Sequence, residues 1–283
     1  KRSINRFVWS ANHEARRLME KGLLPPETGS KEHNRFWYRI SSQLTTEIWG
    51  VFYPGMTEKG ADRAQWAGAI STDDWATHPD RFFGAMFSAA YFERDVERLI
   101  RIGRAALPDD SPFARGIDDC VRWHGEHADW REARKRLHET YYLQVDDFRV
   151  PDPFGGAVVN GLAAVLALLY GDGDWTRTVA IATSLGYDCD NQAATVGALL
   201  GMAQGAAVIP ERFTLELPSR GRWTKPFNDT YINYSRDGLP AYNRISDIVD
   251  RIATVAETAI LENGGRRVGG GGKAVSYRVN CDF

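Results

Sequence analysis

Asn160 to Pro210 reads NGLAAVLALLYGDGDWTRTVAIATSLGYDCDNQAATVGALLGMAQGAAVIP, and the fold is decided in this stretch. It alternates apolar helix, a tight Gly/Asp turn, a second apolar helix, an acidic turn from Gly186 to Asn191, and a third helix rich in Ala and Gly. Asp188 and Asp190 stand one residue apart in the acidic turn, with Asn191 beside them where the third helix begins. Hard cations such as Mg²⁺ take oxygen ligands, and a D-x-D pair on an irregular turn can converge where the same pair on a regular helix diverges. The competing reading is that Asp188 or Asp190 caps the helix starting near Gln192, because Asp and Asn suit the N-cap and negative charge suits a helix N-terminus. The small residues Gly186, Ala193, Ala194, Gly197, Gly201 and Gly205 predict close packing of helices around this segment. Asn160, a polar residue in an apolar helix, reads as an internal hydrogen bonder or as a ligand-facing amide. Asp172 and Asp174 are expected to cap a helix from Trp175 to Leu185.

Working outward, the predicted elements are almost all helical. Asn5 to Gly22 is amphipathic and stops at Gly22 and Pro25-Pro26. Phe36 to Phe52 carries Trp37, Ile40, Leu44, Ile48 and Phe52 at helical spacing, and Tyr53-Pro54-Gly55 ends it. Further helices are expected over Thr57 to Ile70, Phe82 to Glu93, Ser111 to Gly125, Ala128 to Tyr142 with Asp129 as its cap, and Tyr242 to Leu261. Val145 to Gly156 reads as a loop, and Phe213 to Trp223 alternates only weakly. His124 and His127 near Glu126 have a metal-ligand look, but they fall at a helix end where cations suit the dipole. Gly264-Gly265 and Gly269 to Gly272 read as a linker, followed by a short alternating strand without an obvious partner. The fold class is therefore an all-α helical bundle with a strand-like tail, divided as a helical domain over 1–263 and a linker and tail over 264–283. No G-x-G-x-x-G after a strand and no P-loop is present, which disfavours the nucleotide-cofactor folds.

A net charge of -2 with 25% charged residues advertises no nucleic acid and no anionic membrane as a partner. The apolar run Leu162 to Tyr170 is far shorter than the ~20 residues that cross a bilayer. Cys120, Cys189 and Cys281 are odd in number and widely spaced, which fits a reducing compartment, and the expected location is cytoplasmic.

The run Gly186-Tyr187-Asp188-Cys189-Asp190-Asn191, continued by Q-A-A-T-V-G-A-L-L-G-M-A-Q-G, resembles the C-terminal metal-binding signature of the ADP-ribosylglycohydrolase family, G-x-D-T-D before a small Ala/Gly-rich helix. L-L-Y-G-D-G-D-W before it and Ile209-Pro210 after it are similar to the same family block, and the helix with Gln43 and Glu47 matches a pattern of a large bacterial branch. The resemblance implies Asp188 and Asp190 as metal ligands, with Asn191 in the place where the family often has a ligand Thr. It implies hydrolysis of an N- or O-glycosidic ADP-ribosyl linkage, Mg²⁺ or Mn²⁺ as cofactor with two ions in a complete site, and an ADP-ribosylated protein or small ADP-ribose-like substrate. Alternatives are a catalytically silent helical module of the same fold and a hydrolase of another glycoside. Gln43 and Glu47 read as hydrogen bonders bordering the core. Thr72-Asp73-Asp74 looks like the family's N-terminal metal motif, yet it stands just before Thr77-His78, which resembles the family's middle segment, so it is expected to be a coincidence. No G-D-A-x-G occurs: the N-terminal ligands that the resemblance implies lie upstream of Lys1 or on a partner chain, or this protein does not bind metal as its relatives do.

Overall fold

The computed structural model describes residues 9–142, 156–214, 229–232, 239–269 and 275–283. Among them are twelve α-helices and two short two-stranded ribbons. The loop expected over Val145 to Gly156, the weak alternation of Phe213 to Trp223, the start of the first helix and most of the Gly269 to Gly272 linker lie largely outside the described residues.

The centre of the molecule is α8, Ala157–Gly171, whose fifteen residues are all buried. A helix apolar all the way round has no face to give to water, so it must be surrounded. It is packed by α6 (Pro112–Glu126), α7 (Trp130–Leu137), α9 (Trp175–Ser184) and α10 (Cys189–Gln204). Its close approaches need small residues: a Cβ on Gly161 would lie 2.6 Å from the Phe113 ring, and one on Gly171 would lie 1.9 Å from Thr178 Oγ1. A second layer is made by α2 (Glu47–Val51), α3 (Thr57–Gly68), α4 (His78–Ala89) and α5 (Val96–Ala105), with α3 and α4 in contact at Gly60 and Gly84. The remaining helices are α1 (Ser10–Glu20), α11 (Glu211–Thr214) and the largely exposed α12 (Ile245–Glu262).

Four local expectations are corrected. Phe36 to Phe52 is not one helix: Arg39 forms a bridge with Gly156, Ile40–Ser42 is a 3-10 turn, and only α2 is α-helical. Hydroxyl and amide side chains there bond to distant segments, Thr46 Oγ1 to Asp80 at 3.0 Å and Gln43 Nε2 to the Ala157 carbonyl at 2.8 Å, and these contacts outweigh helical spacing. Tyr242–Arg244 is β2, paired antiparallel with β1 (Thr230–Ile232), so the last helix starts only at Ile245. Close packing through glycines holds at α8 and α3 but fades along α10, where a Cβ on Gly201 or Gly205 would meet nothing within 4 Å among the described residues. Finally, the C-terminal strand has a partner. β4 (Ser276–Arg278) pairs with β3 (Arg266–Val268), and the chain end docks on the body. There Asp282 accepts the Thr57 amide and hydroxyl at 2.8 Å each and so caps α3.

Candidate metal centre

The acidic turn joins α9 to α10 and lies against the N-terminal half of α8. Gly186 and Tyr187 both take positive φ, 85° and 62°. For Tyr187 this costs about 1–3 kcal/mol and persists only when neighbours hold it. They do: the phenolic oxygen is 3.0 Å from His138 Nδ1, Arg134 stands over the ring at 5.4 Å, and Arg134 Nε donates to the Leu185 carbonyl at 3.0 Å. A grip from α7 and the π-helical turn His138–Tyr142 thus fixes the backbone leading into Asp188.

Asp188 occupies the N-cap position of α10, but its side chain caps nothing. The other aspartates at such positions behave differently. Asp95 accepts the Arg98 amide at 2.7 Å, Asp129 the Arg131 amide at 3.0 Å and Asp174 the Arg177 amide at 2.6 Å. Their ψ values are 118°, 121° and 115°, whereas Asp188 has ψ 63°. The backbone at Asp188 is turned away from capping geometry, and the carboxyl is left half-buried beside Asp190. Burial, reinforced by the adjacent Asp190 carboxyl, pushes Asp188 up to about 6 from an ordinary 3.8. Asp190 is exposed and Asn191 partly buried in the first turn of α10.

The expected Asp172/Asp174 cap pair divides: Asp174 caps α9, while Asp172 ends α8 in the left-handed region with φ 51°. Asn160 makes internal hydrogen bonds, Nδ2 to the Gly156 carbonyl at 2.8 Å, and also receives the Asp188 amide at 2.8 Å and Gln192 Nε2 at 2.6 Å. Gln192 is a residue that sequence reasoning missed, since its partner is 32 positions away. Gln43 and Glu47 border the core: Glu47 receives Thr195 Oγ1 of α10 at 2.5 Å, and burial raises its pKa. Asp80 was not foreseen either. It is fully buried, accepts Thr46 Oγ1 at 3.0 Å, and burial holds its pKa well above the ordinary carboxylate range.

Thr72-Asp73-Asp74 is bonded within its own turn and to Lys31. Thr72 Oγ1 donates to the Gly68 carbonyl, Asp73 accepts the Asp74 and Lys31 amides at 2.7 and 2.8 Å, and Asp74 pairs with Lys31 Nζ at 2.7 Å. His124 packs edge-on against Tyr170, whose hydroxyl donates to the His127 carbonyl at 2.8 Å.

A family model for ADP-ribosylglycohydrolase matches residues 10–255. The chain belongs to the ADP-ribosylglycohydrolase family. Comparison with curated proteins and with solved structures gave no match. The helical architecture agrees with that of ADP-ribosylglycohydrolases, and membership supports hydrolysis of ADP-ribosyl linkages as the class of activity. No helix among the described residues is long and apolar enough to cross a membrane. As a metal site for an ADP-ribosylglycohydrolase, the turn has the right chemistry: two carboxylates that no amide or cation among the described residues occupies, and a neutral amide next to them, fit a hard divalent ion. It supplies only part of a coordination shell, since the described residues contain no group of three or more His, Cys, Asp or Glu able to hold a metal.

Proposed function

We propose that the turn from Gly186 to Asn191 is a divalent-cation centre and that the protein hydrolyses N- or O-glycosidic ADP-ribosyl linkages with its help. The observation that carries this is Asp188: a cap-position aspartate that declines the cap and stands half-buried against a second carboxyl. A half-buried carboxylate beside a like charge is costly to ionise, and a cation relieves it. Mg²⁺ or Mn²⁺ held there would supply Lewis acidity to substrate oxygens and to water. Asp188 and Asp190 offer the carboxylate oxygens and Asn191 an amide oxygen, while α7 and α8 hold the turn in place. A two-ion site needs further oxygen ligands beyond this turn. The substrate is an ADP-ribosylated protein or a small ADP-ribose-like molecule, and the three free cysteines accord with a cytoplasmic location.

A second reading, a silent ligand-binding module of the same fold, is favoured because no group of three or more His, Cys, Asp or Glu among the described residues is placed to hold a metal. Calorimetry with Mg²⁺ and Mn²⁺ on the parent and on Asp188→Ala with Asp190→Ala tests the cation centre; a parent that binds neither ion removes it. Release of ADP-ribose from a modified peptide, lost in the double variant, supports the hydrolase. Cation binding without release supports the silent module, and release of a different sugar points to another glycoside.

A further inference from the structure

We infer that Asn160 is a positioning residue for the acidic turn, taking over the hydrogen bonding at the mouth of α10 so that the Asp188 carboxylate stays available to a ligand. This rests on the cation-centre reading above and names the residue that makes it possible. Asn160 is fully buried, in a helix whose other members are apolar or small apart from the terminal Tyr170. A buried amide is costly unless its donors and acceptor are met. Here they are met in a directional way. Nδ2 donates to the Gly156 carbonyl one turn back, and Oδ1 faces α10 and receives both the Asp188 N–H and Gln192 Nε2. The backbone N–H fixes the orientation of the amide, because an N–H cannot face an NH₂ group.

The consequence falls on Asp188. Its N–H is pinned to α8, Leu185 and Tyr187 before it are held by Arg134 of α7 and by His138, and its ψ of 63° lies well away from the 115° to 121° of the aspartates that do cap. With the backbone held in that state, the carboxyl cannot fold back onto the first amides of α10. Without Asn160 the turn is free to relax to the ordinary cap, and the helix then consumes the oxygen that a cation needs.

The test uses the full chain with Asn160→Ala, Gln192→Ala and Tyr170→Phe. The last removes a buried hydroxyl at the opposite end of α8, where it bonds to the His127 carbonyl, and controls for loss of stability alone. Mn²⁺ affinity by calorimetry should fall about tenfold or more in Asn160→Ala, as for other groups that orient a metal ligand. It should fall less in Gln192→Ala and remain at the parental value in Tyr170→Phe. In cation-free samples, the amide resonances of Asp190 and Asn191 should move in Asn160→Ala as the Asp188 carboxylate swings in to cap them, and remain in place in Tyr170→Phe. Parental Mn²⁺ affinity and unmoved amides in Asn160→Ala overturn the inference. Should Asn160→Ala not fold, Gln192→Ala decides, and parental affinity there overturns it. A parent that binds no Mn²⁺ sinks the cation centre instead, and the amide resonances alone then judge the role of Asn160.

Discussion

Replacing Asp188 by Ala separates a cap from a strained carboxylate by the sign of its effect on stability. The folded chain holds Asp188 at about 6 against an ordinary 3.8, through burial first and the Asp190 carboxyl second. Between those values the folded state binds more protons than the unfolded state, so stability is highest below the lower value, falls as pH rises through the window, and is fully reduced above the upper one. A difference of that size corresponds to about 3 kcal/mol. Because the group is half exposed, solvent screening brings the expected penalty to about 1–2 kcal/mol. Asp188→Ala should therefore stabilise the protein by about 1–2 kcal/mol near pH 7, less a few tenths for the lost charge at the N-terminus of α10, with no gain below about pH 4. Urea unfolding without divalent cations at a series of pH values measures this. Destabilisation by about 1 kcal/mol near pH 7, the usual cost of a lost cap, would refute the reasoning. Adding Mg²⁺ at a hundredfold over its Kd should stabilise the parent by about 2.7 kcal/mol and leave Asp188→Ala unchanged.

Three further outcomes are expected. Leu166→Ala, in the middle of the wholly buried α8, should cost about 2–5 kcal/mol in urea unfolding, because the surrounding helices cannot collapse onto the cavity. Asp282→Ala removes a carboxylate that accepts the amides of Thr57 and Glu58, and should cost about 1 kcal/mol in the same measurement; no change would mean that the chain end does not dock in solution. Titration with a thiol reagent should label exposed Cys281 in the native protein and fully buried Cys120 only after unfolding, since burial also holds the Cys120 thiol well above its ordinary pKa.

Much of this protein was legible in one dimension. The all-round apolarity of Ala157–Gly171 demanded a central helix, the Asp-led turns placed α7 and α9, and D-C-D with its small-residue helix carried the family resemblance that the family match bears out. These are local signals, in which the residues that decide and the structure they decide lie within a turn or two of each other. The same locality explains the failures. Helical spacing from Phe36 to Phe52 could not reveal that Gln43 would bond to Ala157 or that Arg39 would pair with Gly156. The C-terminal strand looked partnerless because its pairing with Arg266–Val268 and the bonds from Asp282 to Thr57, 225 residues earlier, leave no mark in the local spacing.

The division is sharpest at Asp188. By sequence, an Asp at a helix mouth reads first as a cap and can also bind a cation, because both roles ask for the same oxygen at the same place. What decides between them is whether the backbone at that residue can adopt capping geometry, and that is set by Asn160, 28 residues earlier on α8, and by Arg134 and His138 on the far side of the turn. Composition and spacing determined that an acidic pair would stand at the start of a glycine-dotted helix. Only packing of three helices around one turn determined that the Asp188 side chain would leave the cap of α10 unmade, since hydrogen bonds between distant segments exist only once the chain has folded.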